Sequence, residues 1–496
     1  MNFRFLVPLF LLPNLAASAQ VTLPKVLGSH MVIQRDLPVH VWGSAAAGEE
    51  IMVAFRGESR ITKAGPLGLW SLYMPPGAAG GPFQLRVQGS SADSQPIVLD
   101  DVLVGDVWVA SGQSNMEFEM RRAATAAQDL PHADLPHVRL LMIRKRSSDY
   151  AEPDIDSDGW TLSTPDTAKD FSAIGWYFAR EISQREHVPV GVIDATWGGT
   201  VAESWVRLTA LGADASLAPL FVSRGKMTDH EAIGTLEAKD EERQREEART
   251  QGRPIPQFKW HPPLNSWAPG MLWNGMIAPL TPFAIRGVIW YQGESNSALE
   301  RAPLYNHVFR TLIEDWRHEW GVGNFPFLYV QISNFKSTPA EDWALLRDQQ
   351  LKTLEMANTA MAVTIDIGNP DDVHPTDKVD VGLRLARGAR ALAYGENVEF
   401  TGPVFRQATP EGKSIRAWFD HAKGLTAKGG DPTGFEVAGA DGKFVPAKGR
   451  IDGETILASS PSVPEPLYVR YGWANSPQCN LFNGEDLPAS PFTSMH

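Results

Sequence analysis

The chain has 496 residues, 21% charged and 43% hydrophobic, with a formal net charge of -13. That length is too great for one ordinary domain, so two to four are expected. The acidic balance argues against nucleic acid as a partner, because phosphate binding needs a basic surface, and gives no electrostatic reason to sit on an anionic membrane.

The first nineteen residues read as a signal peptide. Arg4 supplies the positive start, Phe5 to Leu12 form a short apolar run, and Ala17-Ser18-Ala19 offers small residues for cleavage near Gln20. The apolar run is too short to span a bilayer. The expectation is therefore a secreted or periplasmic protein with no membrane segment after cleavage. Cys479 is the single cysteine, so no internal disulfide is available to an exported chain.

Residues 20–100 predict an N-terminal β-sandwich. Ile51, Val53 and Phe55 alternate with other residues, as do Phe83, Leu85 and Val87, and glycines punctuate the runs. From 101 to 395 apolar runs alternate with helical patterns. The runs begin at Val102, Val138, Val188, Ala284, Phe325 and Met361. One predicted helix carries Tyr305, Val308, Phe309, Leu312 and Trp316 on a face. Another carries Val381, Leu385, Ala389 and Leu392, with Arg384, Arg387 and Arg390 off that face and Gly395 placed to end it. Alternation of this kind predicts a parallel sheet covered by helices on both faces, with a site at the carboxyl ends of its strands. The stretch 208–270 breaks the rhythm. Its charged part, Asp229–Arg249, has helical ion-pair spacing and reads as a solvated helix in an insertion, with a partner-binding arm as the alternative. Residues 396–496 form a second β region, with the first as a candidate packing partner.

Four segments carry chemistry. In Gly105–Met116 a strand ends at Gly112-Gln113-Ser114, where a nucleophile can stand at the sheet edge; the bland reading of Ser114 is a helix cap. Trp197-Gly198-Gly199 follows a second strand, and its glycines let backbone N–H groups approach a ligand. Gln292-Gly293-Glu294 follows a third, and Gln292 offers a neutral donor suited to an oxyanion. Asp371-Asp372-Val373-His374 follows a fourth. His374 is the candidate base, and a carboxylate must hold its tautomer. Asp371 is the favoured acid, able to fold back through a turn, and Asp372 stays open as the alternative.

Together these blocks resemble the sialate O-acetylesterase family of the SGNH hydrolase superfamily. The resemblance rests on GDVWVASGQSNMEFEM, ATWGGTVAESW, LWNGMIAPL, GVIWYQGESN and DDVHPTDK. It extends to the N-terminal MVIQRDLPVHVWG and the C-terminal YGWANSPQCNLFNGEDLPASPF, and so covers nearly the whole mature chain. It implies a flavodoxin-like α/β catalytic domain flanked by β regions, with Ser114 as nucleophile, His374 as base and Asp371 as acid. It implies oxyanion donors from Ser114, Gly199 (or Gly198) and Gln292. Gln113, Asn115, Trp197, Asn274 and Glu294 stand in the matched blocks as candidate substrate contacts. Trp205, Trp267, Trp273 and Trp290 also lie in or beside the blocks; most read as core, the rest as platforms for a sugar ring.

The implied reaction is hydrolysis of O-acetyl esters on a carbohydrate through an acetyl-serine, with no cofactor and no metal. Sialic acid esters and acetylated xylan or xyloglucan are rival substrates. A carbohydrate-binding protein without catalysis is the rival of another class.

Overall fold

The computed structural model describes residues 20–256, 258 and 266–495, and of residues 223–238 the backbone alone. The signal-peptide expectation lies outside the described residues. Among them no helix is long and apolar enough to cross a membrane.

The sheet at the centre runs Thr359–Val363, Phe327–Gln331, Gly287–Tyr291, Ile97–Gly112, Val190–Thr196, Leu135–Met142 and Trp160–Ser163. All neighbours are parallel except the last pair. Without the edge pair Leu135–Met142 and Trp160–Ser163, the chain order is 2-1-3-4-5, the flavodoxin arrangement. The strands are buried along nearly their whole length, as sheets covered on both faces must be. Phe327 meets Phe309 of the helix Tyr305–Trp320, while the next residue, Leu328, lies under Gly388 of the helix Val379–Leu392. Consecutive strand residues point to opposite faces, so these helices cover opposite faces.

The strand Ile97–Gly112 is sixteen residues long and belongs to two layers. Its first part pairs with Gly80–Gly89 and Val32–Gln34 of the N-terminal β region, and its last part enters the central sheet. The two regions thus share a strand across position 100. Asp106 locks the junction from within. It is fully buried and accepts from Arg35 Nε at 2.9 Å, Gln34 Nε2 at 3.1 Å and the Tyr394 hydroxyl at 2.9 Å. In the N-terminal region Glu50–Phe55 and Leu69–Met74 alternate buried and exposed residues, as the period-two pattern requires.

The stretch after 208 holds a short helix, Leu208–Ala213, and a long one, Ala218–Thr250. Residues 396–495 hold four-stranded and two-stranded antiparallel sheets around a separate core that includes Ile415, Phe435 and Tyr471. Among the described residues, the hydrogen bonds that tie this region down run to the central domain, not to the N-terminal β region. The buried Arg347 donates to the carbonyls of Ala474 and Asn475, and Gln331 Nε2 to Ser490 Oγ. Cys479 lies in this region, and burial pushes its thiol up to about 11, so it is held protonated.

Candidate active site

Three strands end level with one another. Gly112 pairs with Thr196 on one side and Tyr291 on the other, and Ser111 Oγ ties the first two by donating to Ala195 O at 2.7 Å. The chain must then turn sharply. Gly112 has φ 129°, and a Cβ there would stand 2.2 Å from Tyr291 O, so only glycine fits. The turn lifts Gln113 and Ser114 above the sheet. Ser114 is the first residue of a single helical turn, Ser114–Glu117, so its N–H has no carbonyl to bond within that turn.

His374 arrives from the far side of the sheet, on the loop between Thr359–Val363 and Val379–Leu392. Its Nε2 stands 2.7 Å from Ser114 Oγ, across 260 residues of sequence. Ser114 is therefore not a helix cap; its hydroxyl faces the imidazole. Burial first, and then the Lys378 cation, hold the imidazole below its ordinary pKa of 6.5, so it is neutral and able to accept at pH 7.

The acid expected from sequence needs correction. Asp371 points away: it is largely exposed and pairs with Lys336 at 2.9 Å. Asp372 takes the inner position. Its Oδ1 accepts the His374 backbone N–H at 2.9 Å and lies 3.8 Å from His374 Nδ1. That separation is an ion-pair distance rather than a hydrogen bond. The turn of two residues, not three, decides the matter: an aspartate readily bonds the backbone two residues on.

The oxyanion donors also need correction. Gly199, at φ 72°, and Ser114 have backbone N–H groups with no acceptor among the described residues. The Gly198 N–H is occupied, donating to Glu117 Oε2 at 2.5 Å. Gln292 is fully buried and spent. Its Nε2 donates to Thr200 O at 3.1 Å and Asn296 Oδ1 at 2.7 Å, and its Oε1 accepts from the Tyr305 hydroxyl at 2.9 Å. It braces the segment behind Gly199 instead of offering a free donor.

The expected substrate contacts divide likewise. Gln113 Oε1 accepts from the amides of Gly293 and Ser295, while its Nε2 has no hydrogen bond among the described residues. Trp197 is half-buried and leads directly into Gly198, where a Cβ would lie 3.2 Å from Ser114 Cβ. Asn115 and Glu294 are buried against each other at 2.6 Å, which takes both out of reach of a ligand. Asn274 donates to Ser148 O at 3.1 Å and anchors that loop. Trp205, Trp273 and Trp290 are core residues that pack edge-on or tilted against Trp316 or each other. Trp267 is half-buried and donates to Gly199 O at 2.5 Å, fixing the peptide that precedes Thr200.

Sequence reasoning missed two residues. Glu117 stands one turn beyond Ser114 and bridges Gly198 to Lys145; its i+3 spacing from Ser114 was the available signal. Lys378, four residues beyond His374, is buried and donates to Asn115 Oδ1 at 2.6 Å. Among the described residues no group of three or more His, Cys, Asp or Glu is placed to hold a metal ion.

This geometry can carry acyl transfer, and comparison with known proteins gives it a family. The model of a carbohydrate esterase family, sialic acid-specific acetylesterase, matches residues 260–391. A solved structure of a carbohydrate acetylesterase from Xanthomonas citri is 38% identical, with a TM-score of 0.82, over 95% of this chain and 99% of that one. The chain belongs to this carbohydrate esterase family. The sialate O-acetylesterase of Mus musculus is 29% identical over 95% of this chain and 93% of its own length. That of Homo sapiens is 28% identical over 99% and 95%. The chain is thus a carboxylic ester hydrolase of the sialate O-acetylesterase kind, and its sheet and flanking β regions are those of the carbohydrate esterases.

Proposed function

We propose that this enzyme removes O-acetyl groups from sialic acid through an acetyl-serine intermediate on Ser114. The observation that carries the reading is the 2.7 Å contact between Ser114 Oγ and His374 Nε2 at the carboxyl edge of the sheet. His374 Nε2 takes the hydroxyl proton as Ser114 Oγ bonds to the acetyl carbon. For Nε2 to accept, Nδ1 must carry the other proton, and that N–H faces Asp372. The carbonyl oxygen becomes an anion, which the Ser114 and Gly199 N–H groups are free to hold. The bond from carbon to sugar oxygen breaks, and His374 returns its proton to the departing alcohol. Water then attacks the acetyl carbon with His374 again as base, and acetate leaves as Ser114 regains its proton. Gln113 Nε2 and the Trp197 ring are the side chains left to meet the sugar.

The sialate reading is favoured by the curated relatives, which cover nearly the whole chain. The more similar solved relative is named only a carbohydrate acetylesterase, which keeps acetylated xyloglucan or xylan as the second reading. Acetate release from O-acetylated sialic acid and from acetylated xyloglucan oligosaccharides, side by side, separates them. With either substrate Ser114→Ala is expected to lower kcat by ~10³-fold or more. Wild-type turnover in that variant would overturn the mechanism.

Export belongs to the same reading, on the strength of the Arg4 start, the Phe5–Leu12 run and the Ala17-Ser18-Ala19 site. N-terminal sequencing of protein recovered from periplasm or medium is expected to begin at Gln20. A mature protein that keeps Met1 would refute it.

A further inference from the structure

The side chain next to the nucleophile is tied to the residue next to the base. Asn115 follows Ser114, and its Nδ2 donates to two acceptors: Glu294 Oε1 at 2.6 Å and the backbone carbonyl of Val373 at 2.9 Å. Val373 immediately precedes His374. The remaining atom of the amide, Oδ1, accepts from Lys378 Nζ at 2.6 Å. One carboxamide thus joins the strand-end turn that presents Ser114, the block that holds Glu294 and the loop that presents His374.

We propose that Asn115, held in one orientation by Lys378 and Glu294, is a positioning residue that keeps Ser114 and His374 in hydrogen-bonding register. This rests on the reading of Ser114 and His374 as nucleophile and base.

Three observations argue for it. The partners fix the orientation of the amide, because its nitrogen donates to the Val373 carbonyl and Glu294 Oε1 while its oxygen accepts from Lys378 Nζ. All three groups are buried, and Lys378 is also packed over the rings of Phe118 and Tyr291, at 4.6 and 5.7 Å, so the clamp cannot swing to solvent. Finally, burying a lysine and a glutamate costs stability that an apolar pair would not. Burial raises the Glu294 carboxyl and lowers Lys378 to about 7, and Glu294 Oε2 has no hydrogen bond among the described residues. A cluster held at this cost, whose amide adjoins Ser114 and bonds the carbonyl that precedes His374, fits a role in geometry.

Lys378 has a second effect. The charged groups that act on His374 are Lys378 and Arg122, which disfavour its protonation, and Asp372 and Glu117, which favour it. Those acting on Lys378 are Glu294, Asp377, Asp372 and Arg122. Removing the Lys378 cation therefore lets His374 protonate at higher pH.

The test uses the full chain and an aryl acetate, with kcat and KM followed from pH 5 to 9. Turnover is referred to the folded fraction from circular dichroism. Asn115→Asp keeps the volume and the partner of Lys378 but turns an acceptor toward Glu294 and the Val373 carbonyl. It is expected to lower kcat about 30-fold with KM within about twofold. Lys378→Met is expected to lower kcat about tenfold and move the acidic limb of kcat/KM upward, and Lys378→Gln, which restores a donor without charge, to recover part of kcat but not the limb. Turnover per folded molecule within about twofold of wild type in Asn115→Asp and Lys378→Met overturns the clamp, including when the variants are merely less stable. Ser114→Ala is measured beside them. If it is inactive while the clamp variants are unimpaired, the clamp alone fails; if it is active, the reading of Ser114 fails.

Discussion

Asp371 and Asp372 carry the same carboxylate on adjacent residues, yet their surroundings give them opposite work. Lys336 holds Asp371 at the surface, where an exposed ion pair contributes little. Asp372 both closes the turn under His374 and brings a negative charge to Nδ1. Asp371→Asn is expected to leave kcat within about twofold of wild type, whereas Asp372→Asn lowers it about tenfold to a hundredfold. The Asp372 loss should be smaller than in a triad with a direct carboxylate bond, because the carboxylate stands at 3.8 Å and asparagine keeps the acceptor for the His374 amide. The sign of the pH effect follows. Asp372 favours the imidazolium, so its neutralisation moves the acidic limb of kcat/KM downward, the reverse of the Lys378 variants. Equal losses in the two aspartate variants would refute the assignment. Ser114 and His374 were legible as candidates in the sequence because Ser114 stands just past an apolar strand and His374 on the loop that follows another, at the edge where a parallel sheet presents its residues. The surroundings of Gln292, Asn115 and Glu294 were not, since a carboxamide or a carboxylate reads the same whether its hydrogen bonds are free or taken. What took them lies far away in sequence: Thr200 O accepts from Gln292, and Glu294 Oε1 and Val373 O accept from Asn115, whose own acceptor is taken by Lys378.

At the scale of elements, the strand Val190–Thr196 holds a buried carboxylate that the chemistry does not use. Asp194 accepts from Thr196 Oγ1 at 2.6 Å and from the Ser172 amide at 3.3 Å. Burial first, and the nearby Glu117 charge, push its pKa up to about 7. In the unfolded chain it titrates near the ordinary value of 3.8. The folded state therefore keeps a proton that the unfolded chain has released. The resulting stability is full below the unfolded value and is lost as pH rises through about 7. Asp194→Asn removes this dependence, while His374, whose depressed pKa acts in the opposite sense, is unchanged. Between pH 5 and pH 8 the melting temperature of wild type is expected to fall relative to that of Asp194→Asn by about 2–8 °C. Parallel melting curves would refute the assignment. The sequence did disclose most elements themselves, because their periods are clean: Tyr305, Val308, Phe309, Leu312 and Trp316 all lie on the buried face of the helix Tyr305–Trp320. It misplaced Arg384, which was expected off the apolar face but is nearly buried, chelating Asp366 at 2.7 Å and bonding Val363 O. Helical period finds the apolar stripe; it does not see that a cation at its border has a carboxylate to meet.

For the molecule as a whole, the two β regions are joined to the catalytic sheet in different ways. The N-terminal region shares the strand Ile97–Gly112, so it cannot separate without breaking the sheet that carries Ser114. The C-terminal region has its own core, and one of its ties to the central domain is a set of backbone carbonyls gathered around one guanidinium. Arg347 is fully buried and donates to Ile332 O at 3.0 Å, Ser333 O at 3.2 Å, Ala474 O at 2.9 Å and Asn475 O at 2.6 Å. Burial lowers its pKa only to about 10, so it remains a cation at neutral pH. Arginine suits the place because its planar fork can serve several acceptors at once. Arg347→Met fills much of the volume but takes the guanidinium from four carbonyls, of which Asn475 O alone, among the described residues, keeps a second donor, the Phe335 amide; losing a buried charged donor costs about 3–5 kcal/mol. Because two of those carbonyls belong to the 474–475 loop and two to the end of the strand Phe327–Gln331, the loss falls on the joint between the regions. Calorimetry on Arg347→Met is expected to resolve an early transition, with protease cleavage entering residues 396–496 before the central domain. A single transition at the wild-type temperature would show that the shared apolar contacts near Leu351, not the guanidinium, hold the two together.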